Sequence, residues 1–136
     1  MALHASRLKV GDIHRERVVE NLTRTQIVQY AGASGDYNPI HTDATYTTEV
    51  AGYPSVFAHG MLTMGLTGKM LTNYVGDGRL TNFGVRFTNQ VWPGDSLDTT
   101  ATVTAIHDGL VELELVTTNQ DGKEVVRGTA TARIDP

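Results

Sequence analysis

The sequence contains one short segment whose side chains could move protons. Residues 35–43 read GDYNPIHTD, so Asp36 is followed five positions later by His41, with Pro39 between them. A carboxylate and an imidazole held on one loop can share a water molecule, one accepting its proton while the other donates. Histidine suits this chemistry because its ordinary pKa of about 6.5 lets it exchange a proton near neutral pH. General acid–base catalysis by Asp36 and His41 is therefore one interpretation.

The same segment can also be explained as a turn with no chemistry. Pro39 fixes its own backbone and pushes Asn38 into an extended conformation, so the spacing of Asp36 and His41 follows from backbone stiffness. Asp-x-Asn-Pro is favourable turn chemistry in any protein. On this interpretation Asp36 forms an Asx turn and His41 is a surface histidine.

A metal site is the third interpretation of the segment. Its ligands would be Asp36, His41 and Asp43, with His59 as an optional fourth. The usual helical spacing of metal ligands is missing, and a His-x-Asp pair is a weak signal. The sequence also has no cysteine, which excludes a thiolate nucleophile, a cysteine-type zinc site and a disulfide scaffold. The residues alone leave the three interpretations open.

A second segment, FAHGML at 57–62, stands where a buried helix is predicted to begin. The first N–H groups of a helix lack internal partners and carry the positive end of its dipole, so they can hold a developing negative charge. Gly60 would let a ligand approach its amide, and no Ser, Thr, Asp or Asn precedes the helix to cap it. A substrate carbonyl could fill that position. His59 could instead cap the helix or be an ordinary core histidine.

Periodic patterns predict the helices that carry these segments. Thr23 and Gln26 form a capping box that begins a helix, and Gly35 ends it. Residues 60–75 are apolar in nearly every helical direction, which is typical of a helix buried on all sides. A first strand is predicted within 8–19, and the Thr-, Asp- and Gly-rich chain before Pro54 is irregular or one short helical turn.

Strand patterns follow the second helix. Phe83, Val85 and Phe87 alternate with polar residues, the period of a strand with one wet face. WPGD at 92–95 predicts a type II turn. Three further strands, joined through Asp-Gly turns, are predicted at 96–106, 110–120 and 124–134. The sequence thus predicts an α+β fold in which a meander of four antiparallel strands wraps around the long apolar helix.

Length and charge set limits on the class of protein. A chain of 136 residues fits a single domain, here 1–136. The net charge of −4, with 11 scattered basic residues, argues against binding to nucleic acid. The longest weakly charged stretch, 51–68, is shorter than the ~20 apolar residues of a membrane span. We therefore expect a soluble, cytoplasmic protein with no nucleic-acid or membrane partner.

Taken together, the two segments resemble the signature of the MaoC-like dehydratases, which include (R)-specific enoyl-thioester hydratases and 3-hydroxyacyl-thioester dehydratases. The matching stretches are YAGASGDYNPIHTD at 30–43 and FAHGMLTMG at 57–65, and FGVRFTNQVWPGD at 83–95 is similar to the strand and turn that follow the family's central helix. The resemblance covers nearly the whole chain. It implies a hotdog fold and a dimer whose two sheets join, with active sites at the subunit interface.

The resemblance also implies roles for particular residues. Asp36 and His41 match the family's catalytic dyad, Asn38 its supporting asparagine, and Gly60 the glycine whose amide forms the oxyanion hole. Thr63 stands where some members have a serine, so a hydroxyl contact at that position is in doubt. No cofactor and no metal are implied.

The implied activity is reversible hydration of trans-2-enoyl thioesters, carried on CoA or acyl carrier protein, to (R)-3-hydroxyacyl thioesters. Within the family the chain resembles the catalytic beta subunit of the mycobacterial hydroxyacyl dehydratase, which implies a second copy or a related hotdog subunit as the partner. A hotdog thioesterase typically draws a carboxylate from the central helix, but 60–75 contains no Asp or Glu. A purely structural subunit often lacks the dyad, which this chain keeps.

Overall fold

The computed structural model describes residues 2–136. Two helices and five strands follow one another in the order β1, α1, α2 and β2 to β5. Their bounds are Ile13–Val19 for β1, Arg24–Ser34 for α1, Gly60–Val75 for α2, Leu80–Phe87 for β2, Leu97–His107 for β3, Leu110–Thr118 for β4 and Glu124–Arg133 for β5. One short π-helical turn, Tyr46–Val50, interrupts the irregular chain before α2. The predicted α+β composition and the predicted bounds of α2 are confirmed.

The five strands form one antiparallel sheet in the spatial order β1-β3-β4-β5-β2. The prediction of a four-strand meander is wrong, because only β3, β4 and β5 are joined as successive hairpins. Strand β2 pairs with β5, in a register that places Val85 opposite Gly128. The connection at 88–96 leads from β2, at one edge of the sheet, to β3, which lies next to β1 at the opposite edge. Strand β2 is therefore an edge strand.

The turns between the strands agree with their sequences. In the β3–β4 hairpin, Asp108 and Gly109 have φ angles of 54° and 74°, the left-handed pair that a type I′ turn requires. In the WPGD segment, Gly94 has a φ of 94° and the Asp95 N–H donates to the Trp92 carbonyl at 3.0 Å. That geometry is the predicted type II turn.

Helix α2 lies against the concave face of the sheet and supplies the centre of the core. Met70, Leu71 and Val75 are buried among apolar side chains of β3, β4 and β5. Three buried threonines also connect helix and sheet: the Thr67 hydroxyl lies 2.8 Å from that of Thr117, which lies 2.8 Å from that of Thr99. A second apolar cluster contains Ile27 and Leu97 and anchors α1 beside the start of α2.

The prediction that α2 is buried on all sides is wrong for one face. Met61 is 55% exposed, and Gly65 and Lys69, which follow at four-residue intervals, are exposed as well. The reason is that one sheet can cover only one side of a helix. Gly68 makes room for the Phe83 ring, which lies 3.1 Å from where a Cβ would stand. Within residues 2–136, no helix has both the length and the apolar character needed to cross a membrane.

Candidate active site

Helix α1 ends directly before Asp36, and local interactions define both ends of this helix. The Thr23 side chain accepts a hydrogen bond from the Gln26 N–H at 3.0 Å, and Gln26 Oε1 accepts from the Thr23 N–H at 2.8 Å. The predicted capping box is thus confirmed. At the other end Gly35 adopts a left-handed conformation with a φ of 76°, and its N–H donates to the Ala31 carbonyl. The chain therefore turns away from α1 directly before Asp36.

A chain of short-range hydrogen bonds then shapes the loop between Asp36 and His41. Asp36 Oδ1 accepts from the Asn38 N–H, and Asn38 Oδ1 accepts from the Ile40 N–H, both at 3.2 Å. The His41 N–H donates to the Asn38 carbonyl at 3.1 Å. The Asx turn predicted by the interpretation without chemistry is therefore present. Asp36 itself is exposed, so its carboxylate is open to a water or substrate.

His41 is buried, at 8% exposed, and so it is not a surface histidine. Its Nδ1 lies 2.6 Å from the Phe57 carbonyl oxygen. Because a carbonyl only accepts hydrogen bonds, Nδ1 must carry the proton, which leaves a lone pair on Nε2. Burial lowers the pKa of His41 below its ordinary value, and His59 lowers it further, against opposing contributions from the Phe57 carbonyl and Asp36. His41 is therefore neutral near pH 7 and able to accept a proton.

His59, which the sequence offered only as a metal ligand, a helix cap or a core histidine, contacts both members of the candidate dyad. It is 1% exposed, and its Nε2 lies 3.1 Å from the backbone carbonyl oxygen of Asp36. Its ring stacks on that of His41 with 3.8 Å between the ring centroids. The ring of Tyr30 meets it edge-on. A histidine directly before an uncapped helix was the signal available in the sequence, but no local pattern shows what such a ring packs against.

The N-terminus of α2 is uncapped, as predicted. His59 occupies the N-cap position without a side-chain cap, although its carbonyl accepts from the Leu62 N–H at 3.1 Å. Gly60 is the first helical residue, and an N–H at that position has no acceptor within its helix. The expectation that Gly60 lets a ligand approach its amide stays a prediction. A Cβ at Gly60 would lie 3.2 Å from the ring of Phe87, so the missing side chain makes room for that ring.

A cavity of about 320 Å³ opens beside Gly60. Thr63 and Gly60 form its wall along α2, Phe57 contributes from the segment before α2, and the rest comes mainly from in and around β2 and β5, including Phe87, Val91 and Val125. Ligand pockets are commonly ~300–1,000 Å³ and mostly apolar. Asp36 and His41 do not line this cavity. Phe57 connects the two, because it lines the cavity and its carbonyl accepts from His41.

Asp36, His41 and His59 are close enough to be considered as a metal site, because one potential ligand atom from each lies within 4.8 Å of the others. Asp43 does not join it, and accepts a hydrogen bond from the Tyr46 N–H instead. The planes of the two imidazoles are tilted by only 23° with 3.8 Å between the ring centroids, so their in-plane lone pairs lie in two nearly parallel planes and do not converge on one point. One nitrogen of each ring also already donates to a backbone carbonyl. The donor set fits a tetrahedral metal poorly.

An antiparallel sheet wrapped around one long helix is the hotdog fold, and comparisons with known proteins agree. The model of the MaoC like domain matches residues 9–126. The structure of the (R)-hydratase PhaJ1 from Pseudomonas aeruginosa superposes with a TM-score of 0.87 at 28% identity, covering 98% of this chain and 86% of that one. For an (R)-hydratase from A. caviae the TM-score is 0.84 at 25% identity, with 96% and 99% covered.

Among curated proteins, the chain is 35% identical over 91 residues to 3-hydroxyacyl-thioester dehydratase Y of Mycobacterium tuberculosis. That alignment covers 65% of this chain and 31% of the relative, so the chain spans about a third of the relative's length. The chain belongs to the MaoC-like dehydratase family, and the resemblance noted from its sequence is confirmed. The roles of Asp36, His41, Asn38 and Gly60 stay predictions.

Proposed function

We propose that this chain catalyses the reversible hydration of trans-2-enoyl thioesters to (R)-3-hydroxyacyl thioesters. The observation that carries the proposal is a buried His41, with a free Nε2 lone pair, grouped with the carboxylate of Asp36 beside the uncapped start of α2. Membership in the MaoC-like family and the likeness to two (R)-hydratases support the same chemistry. No metal or cofactor takes part in the proposed reaction.

In the proposed reaction Asp36 and His41 hold one water molecule between them. The water oxygen attacks C3 of the enoyl group, one member of the dyad takes a water proton, and a proton is delivered to C2. One O–H bond of the water and the C2–C3 π bond are thus broken, while C3–O and C2–H bonds form. Negative charge that develops on the thioester oxygen is stabilised by the Gly60 amide and the helix dipole, an effect of about 3–4 kcal/mol per donor. Asn38 supports the dyad by holding the turn.

The test is a hydration assay with crotonyl-CoA on the purified chain and two variants. Asp36→Asn and His41→Ala are expected to lower kcat by about 10³-fold or more, because each removes a proton-transfer group. Circular dichroism should show both variants folded. His107→Ala is the matched control, since His107 is exposed and pairs with Glu112 at the end of β3. Near-normal activity of either dyad variant would contradict the proposal.

A thioesterase is the second enzymatic candidate to be tested. Helix α2 contains no Asp or Glu, whereas a hotdog thioesterase typically has its catalytic carboxylate in this helix. We therefore expect no release of free thiol from acyl-CoA under conditions where hydration is complete. A thiol-release rate comparable to the hydration rate would favour the thioesterase.

The proposed partner is a second copy of this chain or a related hotdog subunit. The free edge of β2 and the exposed side chains of Phe87 and Met61, at 51% and 55%, lie near the cavity and support an interface there. The substrate is proposed to be an acyl thioester of CoA or of acyl carrier protein. A cytoplasmic location stays a prediction. Assays with purified chain alone distinguish a homodimer from half of an obligate pair.

A further inference from the structure

We propose that His59 is a positioning residue for the hydration reaction, holding both members of the candidate dyad in one geometry. The inference rests on the proposed function, because positioning has meaning only if Asp36 and His41 react. His59 does so through two different contacts. Its Nε2–H holds the backbone of Asp36, and the face of its ring holds the ring of His41.

The contact to Asp36 acts on the backbone. The Asp36 carboxylate is exposed, and its intramolecular hydrogen bond comes from the Asn38 N–H within the same turn. That bond shapes the turn but does not attach it to the rest of the protein. The bond from His59 does, because it connects the Asp36 carbonyl to the first residue before α2, which is 23 positions away. A carbonyl can only accept, so Nε2 of His59 carries the proton.

The contact to His41 acts on the orientation of a ring. The Nδ1–H of His41 donates to the Phe57 carbonyl, which fixes one atom of the imidazole. The ring of Phe57 also contacts the imidazole, in an edge-to-face arrangement with 5.4 Å between the ring centroids. The face of His59, stacked at 3.8 Å with a tilt of 23°, limits the tilt and so directs Nε2 of His41. Hydrogen bond and stack together define where the water would be held.

Packing alone does not account for a histidine at this position. Nδ1 of His59 is the one buried side-chain nitrogen or oxygen in residues 2–136 without a hydrogen-bond partner. Buried polar atoms are normally partnered, and an unpartnered one costs stability. An apolar ring would avoid that cost and would still fill the space between Tyr30 and His41. What an apolar ring cannot supply is the N–H that holds Asp36.

Two variants separate these contributions. His59→Gln keeps an amide N–H that can reach the Asp36 carbonyl, whereas His59→Phe keeps a ring on His41 but has no donor. We expect His59→Phe to lower kcat for crotonyl-CoA hydration by about 100-fold with little change in KM, since small misplacements of reacting groups have effects of that size. His59→Gln should recover most of that loss. His107→Gln, an exposed histidine on β3, is the control and should match the wild type.

The structural alternative predicts different results. If His59 only fills space, His59→Phe keeps the wild-type kcat, or both variants lose kcat in parallel with their melting temperatures; either outcome overturns the proposal. Imidazole ¹⁵N NMR of the wild-type chain tests the same contact without any variant. We expect the proton of His59 on Nε2 and that of His41 on Nδ1, and a His59 protonated on Nδ1 alone would overturn the proposal.

These measurements separate this inference from the proposed function. A wild-type chain that is inactive both alone and with a related hotdog subunit contradicts the hydratase proposal, whereas the NMR result still decides whether His59 holds Asp36. An active wild type with an unaffected His59→Phe variant contradicts only the role of His59.

Discussion

At the scale of single residues, the environment of His41 decides what its side chain can do. The imidazole is buried, its Nδ1 donates to the Phe57 carbonyl, and one ring nitrogen lies within 4.8 Å of an Asp36 carboxylate oxygen. A buried, neutral histidine with one committed nitrogen is well suited to accept a proton, because its second nitrogen keeps a lone pair. An exposed histidine in the same turn would lack this constraint.

The lowered pKa of His41 predicts the pH dependence of the reaction. If hydration needs neutral His41, a pKa below the ordinary 6.5 means that the neutral form persists to lower pH. We expect the acidic limb of the kcat/KM profile to fall at a pH below 6.5, and activity to be retained above it. The measurement is kcat/KM against pH in buffers of constant ionic strength. An acidic limb above that value would contradict the prediction.

Metal removal tests the alternative use of the same side chains. Because the rings of His41 and His59 are stacked, their lone pairs do not converge, and we expect EDTA to leave the hydration rate unchanged. The rate should be measured before and after dialysis against EDTA. A loss of activity that added zinc restores would revive the metal interpretation.

At the scale of elements, close packing between β2 and β5 predicts one very sensitive glycine. A Cβ at Gly128 would fall on the carbonyl oxygen of Gly84 in the neighbouring strand. We expect Gly128→Ala to lower the free energy of unfolding by about 1–3 kcal/mol, because the backbone of β2 or β5 must move to accommodate the added methyl group. Chemical denaturation measures the difference.

Gly32 provides the matched control for that substitution. It lies within α1, and a Cβ there would meet no atom within 4 Å. Gly32→Ala should therefore raise the free energy of unfolding by about 0.5–1 kcal/mol, since alanine restricts the unfolded chain more than glycine does. Similar effects of the two substitutions would show that the approach of β5 to β2 is looser than described.

At the scale of the whole molecule, the free edge of β2 is the surface on which we expect a second subunit to bind. An exposed edge strand presents unpaired N–H and C=O groups, and a second copy can pair with it about a two-fold axis. Helix α2 also leaves Met61 exposed, directly after Gly60, which lines the cavity. A sheet continued across two chains would cover both features and extend the walls of the cavity.

We therefore expect the purified chain to form a dimer that pairs through β2. Analytical ultracentrifugation measures the mass, and hydrogen exchange locates the interface. Amides along β2 should be protected in the dimer, whereas the outer amides of β1, at the opposite edge of the sheet, should exchange quickly. A monomer that is active alone, or a dimer with unprotected β2 amides, would contradict this prediction.

Features that depend on neighbouring residues were determined by the sequence itself. The capping box of Thr23, the helix end at Gly35, the bounds of α2 and the turn at Gly94 all agree with expectation. Each is decided within a few residues, by local hydrogen bonds, by the left-handed backbone of glycine or by hydrophobic periodicity. The candidate dyad belongs to the same class, because one stiff turn carries both Asp36 and His41.

Features that depend on distant parts of the chain were decided only by the tertiary structure. Strand β2 pairs with β5 and not with β3, and one face of α2 is left uncovered. His41 is buried because the segment at Phe57 folds over it, and His59 reaches Asp36 from 23 positions away. Periodicity shows which face of an element is apolar but not what covers it. Long-range packing determines what covers each face. Here it buries His41 and places His59 against the turn that carries Asp36 and His41.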